Sequence, residues 1–155
     1  MTNLKMLLFV IIFLPTVLFS QENDVEEEVA DVPFMLIEKA PVYPGCVGEN
    51  NRELKKCTSD NISSFVKDNL NKKKLLENRE PSRYVAYSEF TINKEGKIEN
   101  IKMRASDKTI EDEVVRVLKQ IPTLSPGELN GKNIEAKQSI VIKFKVDENH
   151  IFSFI

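Results

Sequence analysis

The chain has 155 residues, with 22 basic and 24 acidic side chains, one histidine, two cysteines and a formal charge of −2. A near-balanced charge argues against nucleic-acid binding, and one histidine with two cysteines falls short of the four ligands of a tetrahedral zinc site. Hydrophobic residues make up 41% of the chain, enough for one modest domain with a buried core.

At the N-terminus Lys5 precedes an apolar stretch from Met6 to Phe19, broken only by Pro15 and Thr16 and closed by Ser20. A short basic region, a short apolar core and a small residue at its end have the form of a secretory signal peptide over residues 1–20. The stretch is shorter than the roughly 20 residues that span a bilayer. The expectation is an exported, periplasmic chain, with an uncleaved inner-membrane anchor as the alternative. Without residues 1–20 the chain keeps 21 basic and 24 acidic residues, a charge of −3. Six of those acids and no base lie in residues 21–31, QENDVEEEVAD. Such a run repels itself and stays solvated, so residues 21–33 read as an acidic disordered leader and residues 34–155 as the folded domain.

Both cysteines fall in YPGCVGENNRELKKC, residues 43–57. Ten residues separate them, not the two of a redox C-x-x-C motif, and no further ligands accompany them. In an oxidising compartment Cys46 and Cys57 are expected to form a structural disulfide; two free thiols are the alternative.

Ile62, Phe65, Val66 and Leu70 recur at helical spacing behind the N-cap candidates Thr58, Ser59 and Asp60. Lys72, Lys73 and Lys74 follow where the negative end of that helix dipole is expected. Residues 77–83 form a polar break and complete the segment 34–83. The core segment 84–146 begins with YVAYSEFTI, a strand with Tyr84, Ala86, Phe90 and Ile92 on one face. Asn93-Lys94-Glu95-Gly96 reads as a hairpin turn. The return strand runs from Lys97 to Arg104, and its apolar residues Ile98, Ile101 and Met103 change parity once, predicting a β-bulge. A second helix carries the stripe Ile110, Val114, Val117, Leu118 and Ile121 and stops at Pro122. Turns at Pro126-Gly127 and Asn130-Gly131 precede a strand alternating from Ile134 through Ala136, Gln138, Ile140, Ile142 and Phe144 to Val146. Residues 147–155 form a tail. Helices with apolar stripes beside a hairpin and a late strand predict an α+β domain: a small antiparallel sheet with two helices on one face. Phe90, Ile92, Val114, Leu118, Ile142 and Phe144 are the expected shared core.

No glycine-rich phosphate loop and no G-x-S-x-G elbow is present. His150 stands near the C-terminus without a nucleophile beside it. Glu111, Asp112 and Glu113 suit the first turn of a helix better than acid–base chemistry. The expectation is no enzyme, no cofactor or metal, no nucleic acid and no small-molecule substrate.

Four pieces, in order, resemble the C-terminal domain of the TonB family: Tyr43-Pro44, EFTINKEGKIENIKM, IEDEVVRVLKQIPTLSPG and NGKNIEAKQSIVIKFKV. The chain departs from that family at Gln120-Ile121-Pro122, where an aromatic residue is usual. It also carries some thirty additional residues between Gly48 and Arg83. The family's long proline-rich arm has no counterpart in the leader, whose dozen residues reach at most roughly 40 Å. The resemblance implies a periplasmic module that captures an extended peptide by strand addition, such as the TonB box of an outer-membrane receptor. It assigns that role to Tyr43 and Pro44 and to the late strand, Ser139, Ile140, Val141, Ile142, Lys143, Phe144, Lys145 and Val146. The partner would be a TonB-dependent outer-membrane receptor or another envelope protein. The alternative is a structural or assembly protein of the envelope that reuses the fold, with a homodimer formed through the same edge. A rival for that edge lies in the chain: Asp147-Glu148-Asn149-His150 could turn it so that Ile151, Phe152 and Phe154 pair back.

Overall fold

The computed structural model describes residues 37–155; the expected signal peptide and acidic leader lie outside them. The described chain runs α1 (Asn51–Asn69), α2 (Lys72–Leu76), β1 (Ser82–Ile92), β2 (Ile98–Arg104), α3 (Lys108–Leu118), β3 (Gly127–Leu129), β4 (Lys132–Ile134), β5 (Ala136–Val146) and β6 (Phe152–Phe154). Four strands form one antiparallel sheet in the order β2-β1-β5-β6, and β3 and β4 form a separate two-stranded hairpin. The fold is α+β.

The sheet is organised by β1, which pairs with β5 over eleven consecutive residues, from Ser82↔Val146 to Ile92↔Ala136. Alternation along both strands sends Ala86, Phe90, Ile140, Ile142 and Phe144 to one face. There they join Ile62 and Val66 of α1 and Ile110, Val114, Val117 and Leu118 of α3 in one buried cluster. All six expected core residues belong to it.

The hairpin is built as its sequence requires. Asn93 Oδ1 accepts from the backbone N–H groups of Glu95 and Lys97, and Gly96 takes φ +79°. The bulge expected in β2 is present: Glu89 faces Lys102 but Thr91 faces Glu99, leaving one additional residue in β2. Asn100 there has φ +51°, a left-handed conformation that asparagine tolerates.

Three local expectations are corrected. The first helix begins seven residues before Thr58: Asn50 is its N-cap, accepting from Glu53 N, while Glu53 Oε2 accepts from Glu49 N. An Asn followed three residues later by Glu is the N-terminal signature that could have revealed this start. Thr58 instead lies inside the helix, buried, where its hydroxyl donates to Pro41 O at 3.2 Å and accepts from Tyr43 N at 3.0 Å. Lys72, Lys73 and Lys74 do not end α1; they open α2, whose N-cap is Asn71. Finally, the alternating run from Ile134 is divided. Asn130 and Gly131, both at positive φ, turn β3 into β4, and β5 starts afresh at Ala136. Two left-handed residues in a two-residue loop favour that tight hairpin.

Phe144 lies at the centre of the cluster, wholly buried, so Phe144→Ala is expected to lower unfolding free energy by about 3–5 kcal/mol in chemical denaturation. The glycines separate two effects. At Gly96 an added Cβ would lie 1.8 Å from the Leu124 carbonyl oxygen, whereas at Gly131 it would meet nothing within 4 Å. Gly131→Ala is expected to cost only its left-handed strain, about 1–2 kcal/mol, and Gly96→Ala clearly more in the same assay.

Candidate functional site

Every position of β5 pairs with β1 on one side. On its other side β6 covers only the C-terminal end, through Phe144↔Phe154, Lys145↔Ser153 and Val146↔Phe152. Ile155 N donates to Lys143 O at 3.2 Å. Because a strand's backbone groups alternate in direction, the N–H and C=O of Val141 and Ser139 point the same way as those of Lys143. These two residues lie beyond β6, so the open edge of β5 is centred on them. Side-chain directions follow the expectation: Ile140, Ile142, Phe144 and Val146 are buried, while Val141, Lys143 and Lys145 are exposed. Of the eight late-strand residues assigned to peptide binding, three are thus already paired with β6.

The tail closes that part of the edge through a specific turn. Asp147 Oδ1 accepts from Asn149 N and Ile151 N, His150 N donates to Asp147 O, and His150 adopts φ +56°. His150 is an exposed turn residue. Beyond the turn, Phe152 stacks on Phe144 at 4.7 Å and Phe144 on Tyr84 at 5.2 Å. The ammonium groups of Lys67 and Lys72 each lie 5.6 Å from the centre of the Phe154 ring. Such aromatic and cation–π contacts hold a three-residue strand that backbone pairing alone would hold weakly.

Tyr43 and Pro44 sit elsewhere. Pro44 and Gly45, the latter at φ +86°, occupy the middle of a turn in which Cys46 N donates to Tyr43 O at 3.0 Å. Proline followed by a left-handed glycine is the chemistry of a type II turn. The turn delivers Cys46 to Cys57 on α1, and the two are joined in a disulfide. Asn61 Nδ2 lies 3.4 Å from both sulfurs. Val42 pairs with Ser125 and Tyr43 N donates to Thr58; none of these bonds reaches β5.

On the sheet face away from the helices, an open depression of about 560 Å³ borders the free edge, lined by Tyr87, Glu89, Lys102, Arg104, Ser139 and Val141. Among the described residues, no group of three or more His, Cys, Asp or Glu side chains is placed to hold a metal ion, and no helix is long and apolar enough to cross a membrane.

The carboxylates with displaced titration are structural. Glu113, one of the acids expected near the start of this helix, is buried, 2% exposed. Its carboxylate accepts from Arg116 at 2.5 Å and from Asn71 N at 2.8 Å. The bond from Arg116 holds its pKa below the ordinary 4.5, against the opposing effect of burial. Asp107, the N-cap of α3, is held below 3.8 chiefly by its bond from Arg79. Arg79 is itself buried; it also donates to Leu75 O and lies 5.0 Å from the Tyr84 ring. Nothing in the polar run 77–83 distinguishes Arg79, because its partner is 28 residues away.

Both carboxyl groups bind protons more weakly in the folded than in the unfolded chain. Their stabilisation is therefore complete above the ordinary carboxylate range and is lost as pH falls through that range to the depressed values. Unfolding free energy should be level down to about pH 5 and then decline, with a shallower decline in Glu113→Gln, measured by denaturant titration across pH.

Residues 85–146 match the family model described as Gram-negative bacterial TonB protein C-terminal. The matched span covers β1 from Val85 to the end of β5; α1, α2, the disulfide, Tyr43-Pro44 and β6 lie outside it. No curated protein sequence matches the chain. The hairpin, α3 and β5 thus lie within a segment that is similar to the C-terminal domain of TonB proteins.

Proposed function

We propose that the domain binds an extended peptide segment of an envelope protein, such as the TonB box of an outer-membrane receptor, by adding it as a strand to β5 at 139–141. The observation that supports this reading is the difference between the two sides of the sheet. The β2 side is blunted by the Asn100 bulge and by Glu99, Lys102 and Arg104, devices that discourage pairing. The β5 side carries none of these at 139–141: Ser139 and Val141 are uncharged, the strand is regular, and its inner ladder to β1 is complete. A peptide there would continue the line of β6 along the same strand, with the depression beside Tyr87 and Val141 available to one of its side chains. Backbone bonds would supply affinity and that depression some selectivity. Tyr43 and Pro44 then serve the domain through the disulfide turn rather than through the edge. The family is non-enzymatic, in keeping with a binding role.

Titration of the chain with TonB-box-like peptides, followed by NMR, tests this reading. Shifts are expected at 137–143 and at Tyr87. Val141→Pro removes an outward-pointing N–H without touching the β1 ladder, and should abolish them in a folded protein. Deleting residues 148–155 exposes the rest of the edge and should extend the perturbed region to Val146. Absence of any shift in β5, with or without that deletion, would show the reading to be wrong. Concentration-dependent dimerisation that Val141→Pro abolishes would assign the edge to a second copy instead.

A further inference from the structure

The outer face of the sheet, as distinct from its edge, carries an unusual charge arrangement. Arg83 stands directly across from Lys145, Val85 from Lys143, and Tyr87 from both Val141 and Arg104. Arg83, Arg104, Lys143 and Lys145 are all exposed. None of the four makes an ion pair with a described residue, whereas the strand acids on this face are engaged, Glu89 with Lys102 at 3.5 Å and Glu99, across from Thr91, accepting from Asn93 Nδ2 at 3.0 Å. Asp147 and Glu148 lie at the end of the strands in the turn, where Asp147 is engaged with backbone N–H groups. At the middle of the face Tyr87 and Val141 are 55% and 43% exposed.

Protection against edge-to-edge aggregation accounts for Arg104, on the edge strand β2, but not for Arg83, Lys143 and Lys145. Lys143 and Lys145 lie where β6 already flanks the strand, and Arg83 belongs to the interior strand β1. The open part of the β5 edge, where such protection would be useful, has one lysine, Lys137, beside the uncharged Ser139 and Val141. Placing Arg83 opposite Lys145 also works against folding, since like charges directly across a strand pair repel.

We infer that this face docks on a membrane surface rich in anionic lipid headgroups. The cations are spread over a sheet and do not converge on one point, which suits many mobile negative charges better than a single bound anion. Lysine and arginine stems lying beside an exposed tyrosine and valine suit a headgroup layer, where aromatic rings reside and each nearby cation adds attraction. The inference uses the side-chain face and not the backbone edge, so it stands independently of peptide addition.

The test is sedimentation of the chain, as isolated after export, with vesicles of phosphatidylcholine alone or mixed with phosphatidylglycerol. Binding is expected to be stronger to the anionic vesicles at low salt and to weaken as ionic strength rises. The combined variant Arg83→Gln, Lys143→Gln, Lys145→Gln should lose at least about tenfold in affinity for them. Lys94→Gln, Lys119→Gln, Lys132→Gln, matched in charge but away from this face, should stay within about twofold. In the unsubstituted chain, anionic vesicles should shield Lys143 and Lys145 from an amine-reactive label, a readout that requires no variant to fold. No preference for anionic vesicles, equal losses in the two triple variants, or equal labelling with and without vesicles would overturn the inference. Binding to polyglutamate without binding to vesicles would overturn it in favour of an acidic polypeptide.

Discussion

Eleven consecutive pairs join β1 to β5, two strands that lie some fifty residues apart in the chain. This ladder fixes everything else. It sets the parity of both strands at once, so that one face carries Ala86, Phe90, Ile142 and Phe144 to the helices and the other carries Tyr87, Val141 and the unpaired cations. A slip of one residue would exchange the two faces and put lysines against α1 and α3. The ladder also makes β1 interior, which leaves the sheet with β2 on one side and the partly covered β5 on the other. Site and core are two consequences of the same register.

The residues outside the family match are tied to those inside it by polar contacts of long sequence range. Arg79 links α2, the N-cap of α3 and the ring of Tyr84; Glu113 and Arg116 link α3 to the ends of α1 and α2. Thr58 and the Cys46–Cys57 disulfide bind the N-terminal segment to α1. Such buried polar groups add specificity of arrangement as much as stability, because each is satisfied only in one relative placement of the elements. One group is an exception: the Ser88 hydroxyl is buried with no hydrogen-bond partner among the described residues.

At the candidate site, local and tertiary effects meet. Covering residues 144–146 with the chain's own tail shortens the available edge and lowers its capacity for indiscriminate pairing, a recognised liability of open strands. The cover is short, and its hold comes from the aromatic stack on Phe144 and the two lysines over Phe154. A partner strand at 139–141 could add without displacing it. Membrane docking through the outer face of the sheet would leave that edge lateral to the bilayer plane.

Much of the fold was legible in the sequence because it rests on short-range chemistry. Alternation gave β1 and β5 their inner faces; Asn93 to Gly96 marked the hairpin; the parity change at Ile101 marked the bulge; and the stripe from Ile110 to Leu118 marked α3. The start of α1 was legible too, in Asn50 and Glu53, although the buried residues of the helix begin only at Thr58. The sequence also carried the resemblance now matched at 85–146, since turn and strand signals fall at defined intervals along the chain. What it left open was which residues meet across long loops. The burial of Glu113, the partnership of Arg79 with Asp107 and the position of Tyr43 beside Thr58 depend on where whole elements pack. The length of β5 left uncovered was likewise a tertiary decision. A local pattern specifies a strand and its faces, but the neighbour on each side is chosen by the competition of the whole chain for the same backbone hydrogen bonds.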